Sequence, residues 1–144
     1  MPNRSTLPRI DPPRLERVAV VVDDGVSPFE FAVACEVFGI DRSDDGLPAF
    51  DFRVCSPQPG LMASSGGFDL AAPHRLDVLA SADLIVVPAI GVDYRPPAEL
   101  VSRLRAAADR QAMIASLCTG AFVLGAAGLL DGRRATTHWR HADV

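Results

Sequence analysis

The sharpest chemical signal in the sequence is one cysteine among small residues: Cys118, in the stretch Ser116-Leu117-Cys118-Thr119-Gly120-Ala121-Phe122. It follows the apolar run 113–117 and precedes residues 120–130, whose composition suits a helix. A nucleophile type at a sharp strand-to-helix turn is how a nucleophile elbow exposes its side chain. Gly120 lets such a helix begin close to the strand. The sulfur would then face the unpaired N–H groups of a helix N-terminus, which favour a thiolate. The competing reading is an inert buried cysteine, the usual state of this residue type.

Two further side chains could join it. Glu30 opens the helix after the first strand, and so falls at the same sheet edge as Cys118. A carboxyl there could hydrogen-bond the sulfur or pass a proton as general acid or base. Equally, Ser27 and Glu30 have the spacing of a capping box. His138 lies twenty residues after Cys118, and a Cys–His pair would support thiolate formation and proton transfer. The alternative for His138 is a polar residue at a strand end. His74 and His141 read as surface residues, Cys35 as the buried face of a helix and Cys55 as a packed strand end.

The elements that must position these groups are legible in the hydrophobic pattern. Residues 18–22, 84–88 and 113–117 are continuous apolar runs, the signature of parallel strands covered on both faces. Residues 50–55 form a fourth strand, and 61–72, with a Gly-Gly turn, a short hairpin. Helices are expected over 27–39, with Pro28 at N1 and Gly39 as a C′ glycine, over 97–110 and over 120–130. Strands alternating with helices make an α/β fold with right-handed crossovers. The three apolar runs should sit side by side at the sheet centre. Ligands in such sheets bind at the strands' carboxyl ends. There Gly25, the loop Ala89-Ile90-Gly91, and Thr119 with Gly120 should form a pocket around Cys118.

Composition narrows the function. The chain has 144 residues, 49% hydrophobic and 22% charged, with net charge −4. That is a globular domain without an electrostatic footprint for nucleic acid. Three cysteines are an odd count without disulfide or zinc spacing. No metal or cofactor is called for, and Ser64-Ser65-Gly66-Gly67 matches neither a phosphate loop nor a dinucleotide fingerprint. No signal peptide or bilayer-spanning run is present, which predicts a cytoplasmic protein. Prolines 2, 8, 12 and 13 mark residues 1–16 as a flexible arm before a domain over 17–144.

The segments VAVVVDDGVSPFEFAVACEVFG, LIVVP, SLCTGAF and GLLDGRRATTHW together resemble the DJ-1/PfpI (ThiJ/PfpI) superfamily. The nearest likeness is to the N-terminal domain of GlxA-type regulators, which carry an AraC-type DNA-binding module. The resemblance implies a flavodoxin-like three-layer sandwich of the class I glutamine amidotransferase type. Further elements beyond ATTHW would complete the sheet, so the chain reads as a fragment lacking its last elements and the DNA-binding half. It also implies that Cys118 is the elbow cysteine, that Glu30 is a protonated acid donating to its sulfur, and that His138 is the pocket histidine. Two departures count against acyl transfer. Thr119 stands where protease-like members place histidine, and Ala89-Ile90-Gly91 replaces a Gly-Gly pair that helps to build an oxyanion hole.

The implied function is ligand or redox sensing within a transcriptional regulator. Its partners would be an unidentified small-molecule effector and a second copy of the chain, with DNA bound only through the absent domain and no membrane. The alternative is a small cysteine-dependent hydrolase or hydratase of the isonitrile hydratase type, although such members tend to carry Asp where Glu30 stands. Glyoxalase or deglycase chemistry is disfavoured by Thr119.

Overall fold

The computed structural model describes residues 15–143. Most of the expected arm lies outside the described residues. Leu15 and Glu16 do not behave as an arm: Leu15 packs on the core, and the Glu16 N–H donates to Asp83 Oδ2 at 3.1 Å. Among the described residues the strands are β1 (Arg17–Val21), β2 (Asp51–Ser56), β3 (Leu61–Ala63), β4 (Asp69–Ala71), β5 (His74–Arg75), β6 (Leu84–Val87) and β7 (Met113–Ser116). The α-helices are α1 (Pro28–Ala34), α2 (Ala98–Asp109) and α3 (Ala121–Ala126). Five strands make one sheet in the order β5-β2-β1-β6-β7, and every pairing in it is parallel.

Why β1 and β6 occupy the middle is plain from their residues. Each is almost wholly apolar and buried, and alternate side chains serve opposite faces. Val18, Val20, Leu84 and Val86 pack with Phe31 and Ala34 of α1. Ala19, Val21, Ile85 and Val87 pack on the other face with Leu100, Leu104 and Ala107 of α2 and Val123 and Leu124 of α3. Helices on both faces of a parallel sheet give the expected three layers.

The third apolar run departs from expectation. β7 does lie beside β6, with Val87 opposite Ser116, but among the described residues it is an edge strand rather than a central one. Its side chains alternate between exposed and half-buried, and Met113 is 42% exposed. The run is short and holds Ala and Ser, so it reads as apolar without demanding two covered faces.

The first helix also differs in detail. Pro28 opens it as expected, but the Ser27 side chain makes no capping bond. Instead the Ser27 N–H donates to Ala89 O at 2.8 Å, which ties the helix start to the loop after β6. α1 then widens into a π-turn over Cys35–Gly39. Gly39 is needed for space rather than for a left-handed cap. A Cβ there would come within 3.0 Å of the Phe52 ring. The hairpin forms as expected, with Met62 opposite Leu70.

Asp83 fastens the opposite, amino end of the sheet. It accepts from the Arg17 N–H at 2.8 Å and pairs with the Arg17 guanidinium at 2.9 Å. These hydrogen bonds hold its carboxyl down at about 2.

Candidate functional site

The site begins with a strained backbone. Cys118 has φ 54°, the left-handed region that costs a residue with a Cβ roughly 1–2 kcal/mol. A tight turn spans Cys118–Gly120 before α3, and the Leu117 N–H still pairs with Val87 O at 3.0 Å. The chain therefore reverses within one residue of the strand. Gly120 makes this possible by having no side chain. A Cβ would stand 2.3 Å from Val87 O and 2.6 Å from Pro88 O. Strand, strained cysteine and tight glycine make the sharp strand-to-helix turn that the spacing predicts.

The three segments expected at the carboxyl edge do meet there. Thr119 Oγ1 donates to Ile90 O at 2.6 Å and accepts from the Ile90 N–H at 3.2 Å. Ser27 and Ala89 join the first crossover to the same loop. Gly25 donates its N–H to Ala63 O at 2.7 Å, which fixes the turn after β1 to the hairpin. Ala89 and Ile90 are buried, whereas Gly91 is exposed.

Glu30 and Ser27 form no capping box: the Ser27 side chain makes no capping bond, and its N–H goes to Ala89 O. The Glu30 carboxyl instead raises the Cys118 thiol. Its Oε2 is buried without a hydrogen-bond partner. Burial raises the Cys118 thiol above its ordinary value, and Glu30 adds to the rise, while the Thr119 N–H pulls the other way. Burial raises the Cys35 thiol too, and it carries the fully buried Cys55 thiol to about 12.

His138 is placed differently from the other two. None of the described contacts of Cys118 is to His138. Its Nδ1 accepts the Arg140 N–H at 3.2 Å, and its ring lies 5.4 Å from the Trp139 ring and 5.8 Å from that of His141. The segment does reach the elbow one residue earlier, where Thr137 Oγ1 donates to Cys118 O at 3.1 Å. His141, read from sequence as a surface residue, lines a cavity of about 270 Å³ with Phe122, Leu130 and Thr137.

Sequence reasoning also missed the buried Asp23. It accepts from the Tyr94 hydroxyl and from the Gln58 amide. Burial and Asp23 together push the Tyr94 phenol up. Tyr94 and Asp23 are 71 residues apart, and no local motif connects them. Among the described residues no group of His, Cys, Asp or Glu is placed to hold a metal ion. No helix among them is long and apolar enough to cross a membrane.

This fold coincides with a match of residues 16–144 to the model of the DJ-1/PfpI family. The chain belongs to the DJ-1/PfpI family. Among curated DJ-1/PfpI relatives it is 40% identical to an uncharacterized Streptomyces lividans protein in the cpoL 5′ region, over 87% of this chain and 89% of that one. It is 38% identical to the isonitrile hydratase of Pseudomonas putida, over 58% of this chain and 37% of the enzyme. It is 28% identical to the HTH-type transcriptional regulator GlxA of Rhizobium meliloti, over 92% of this chain and 41% of the regulator. A solved AraC family transcriptional regulator from Pseudomonas putida superposes with a TM-score of 0.69 at 28% identity, covering 87% of this chain and 68% of that one. This DJ-1/PfpI domain thus has transcriptional regulators among its relatives, and it spans less than half of the curated GlxA chain.

Proposed function

We propose that this DJ-1/PfpI domain senses a small ligand on behalf of a GlxA-type transcriptional regulator, with Cys118 and Glu30 as the sensing pair. The observation that carries the proposal is the likeness to regulators: nearly all of this chain aligns with GlxA, and an AraC family transcriptional regulator of solved structure shares its fold at 28% identity. At the sheet edge the partly exposed Cys118 and the buried Glu30 Oε2, which has no hydrogen-bond partner, leave polar groups for a ligand. Burial and Glu30 both raise the Cys118 thiol. An effector bound between the elbow, Glu30 and the Ala89–Gly91 loop would shift the geometry of a dimer or of an attached DNA-binding domain. A cytoplasmic location follows from that role.

Redox sensing at the same sulfur is the variant of this reading. Cys118 is partly exposed while Cys55 is buried, so mild peroxide should convert Cys118 to sulfinic acid before Cys55. Mass spectrometry of the peptide containing SLCTGAF measures this, and equal oxidation of all three cysteines in folded protein would remove the oxidative signal.

The second reading is a thiol hydratase, favoured by the 38% identity to isonitrile hydratase. In it the Cys118 sulfur adds to the isonitrile carbon while Glu30 passes the thiol proton to that carbon, giving a thioimidate; water then adds to the same carbon, the C–S bond breaks, and the thiol is released with an N-substituted formamide. Incubation with an alkyl isonitrile decides between the two. Formamide produced at many turnovers per Cys118, and absent in Cys118→Ser, would establish the enzyme and refute the sensor.

A further inference from the structure

We infer that Thr119 is the positioning residue that withholds Cys118 from acyl transfer, by occupying both backbone groups of Ile90. This rests on the sensing role proposed above. Acyl transfer at a thiol needs N–H donors aimed where the carbonyl oxygen becomes an oxyanion. At an elbow one donor is the N–H of the residue after the nucleophile, and a second comes from a neighbouring loop. Here the first is the Thr119 N–H, which lowers the Cys118 thiol.

The loop donor is engaged. The Ile90 N–H is held by Thr119 Oγ1 at 3.2 Å, and the same hydroxyl donates back to Ile90 O at 2.6 Å. Two bonds between one hydroxyl and the N–H and C=O of one residue make a closed ring. Ile90 is only 8% exposed, so water does not readily replace either bond. The loop is pinned on both sides of that ring. Ala89 O takes the Ser27 N–H at 2.8 Å, and Gly91 O takes the Tyr94 N–H at 2.9 Å. Tyr94 is in turn held by Asp23. The peptide at Ile90 therefore cannot turn toward a substrate while Thr119 holds it.

Removing the hydroxyl releases this donor and leaves the Cys118 and Glu30 side chains in place; the same hydroxyl lowers the Cys118 thiol, so its loss by that route would slow attack by the sulfur, not speed it. The assay is hydrolysis of 4-nitrophenyl acetate by the full chain, with the Cys118→Ser rate subtracted. The thiolate attacks the carbonyl carbon, the C–O bond to the phenol breaks and 4-nitrophenolate leaves. Water then cleaves the thioester, giving acetate and returning the proton to the thiol. Wild type should show no rate above the Cys118→Ser background. Thr119→Ala should raise the Cys118-dependent rate roughly tenfold or more above the detection limit. Thr119→Ser, which can rebuild the ring, should bring it back down, a rescue that a merely space-filling role would not give.

A folded Thr119→Ala protein with no gain overturns the inference and leaves the sensing role standing. Wild-type turnover equal to that of Thr119→Ala overturns both. Should Thr119→Ala fail to fold, amide hydrogen exchange on wild type decides. The Ile90 N–H should exchange at least about tenfold more slowly than its unstructured rate, and an unprotected Ile90 N–H overturns the inference.

Discussion

Gly120→Ala is the substitution that tests the elbow most directly. The added methyl carbon would lie 2.3 Å from Val87 O, 2.6 Å from Pro88 O and 3.1 Å from the Pro88 carbonyl carbon. Ordinary C···O contacts are about 3.3 Å or longer, so both oxygens are overlapped by more than half an ångström. Neither belongs to a flexible side chain. Val87 O also accepts the Leu117 N–H, so relief means pulling the end of β6 away from the elbow. Overpacking of this kind costs about 1–3 kcal/mol, and each hydrogen bond lost from the Leu117 and Thr119 contacts adds about 1 kcal/mol. The sum is about 3–5 kcal/mol. Urea unfolding followed by far-UV circular dichroism should show the midpoint lowered by about 1–2 M and Tm by roughly 10 °C or more. Gly125→Ala is the matched control. It lies in α3 with nothing within 4 Å of its would-be Cβ, so the change should be neutral or stabilise by up to about 1 kcal/mol. Equal stability of Gly120→Ala and wild type, or equal damage at Gly125, would refute the close-approach reasoning.

Other substitutions probe the core, the sheet end and the thiol. Leu104→Ala, at a fully buried position between α2 and the sheet, should cost about 2–5 kcal/mol in the same urea assay. Asp83 has its carboxyl held at about 2, below an unfolded value of about 3.9. Its contribution is therefore complete above pH 4 and disappears as pH falls toward 2. Asp83→Asn should lower stability at neutral pH and flatten the acid limb of the stability curve between those values. Glu30→Gln removes a carboxyl that raises the Cys118 thiol, so the pH profile of iodoacetamide alkylation should shift to lower pH. Alkylation at pH 7.5 should then quicken. An unchanged or upward-shifted profile would show that Glu30 does not act on the sulfur.

The central strands were readable because burial on both faces leaves an uninterrupted apolar run, as in Val18–Val22 and Leu84–Val87. The rank of β7 in the sheet was not, since which edge of a strand finds a partner depends on pairings far away in sequence. The elbow was readable from Cys118 and Gly120, whose requirements are local. Glu30 was ambiguous because Ser27-Pro28-Phe29-Glu30 fits both a capping box and a carboxyl turned to the sulfur, and the choice is made by contacts with another loop. His138 was open for a related reason. Its Nδ1 is satisfied two residues away by Arg140, and sequence spacing does not reveal which neighbour an imidazole will choose. The ring formed by Thr119 and Ile90 joins residues 29 positions apart, and nothing along the chain announces it.

The left-handed backbone at Cys118 has a meaning for how this position tolerates change. Glycine adopts that geometry freely, and asparagine more easily than most residues. A population of variants filtered only for folded protein should therefore drift toward glycine and asparagine at 118. A population filtered for response to an effector should keep cysteine and carry the strain. Comparing the survivors of the two filters separates what the fold asks of position 118 from what the sulfur is there to do.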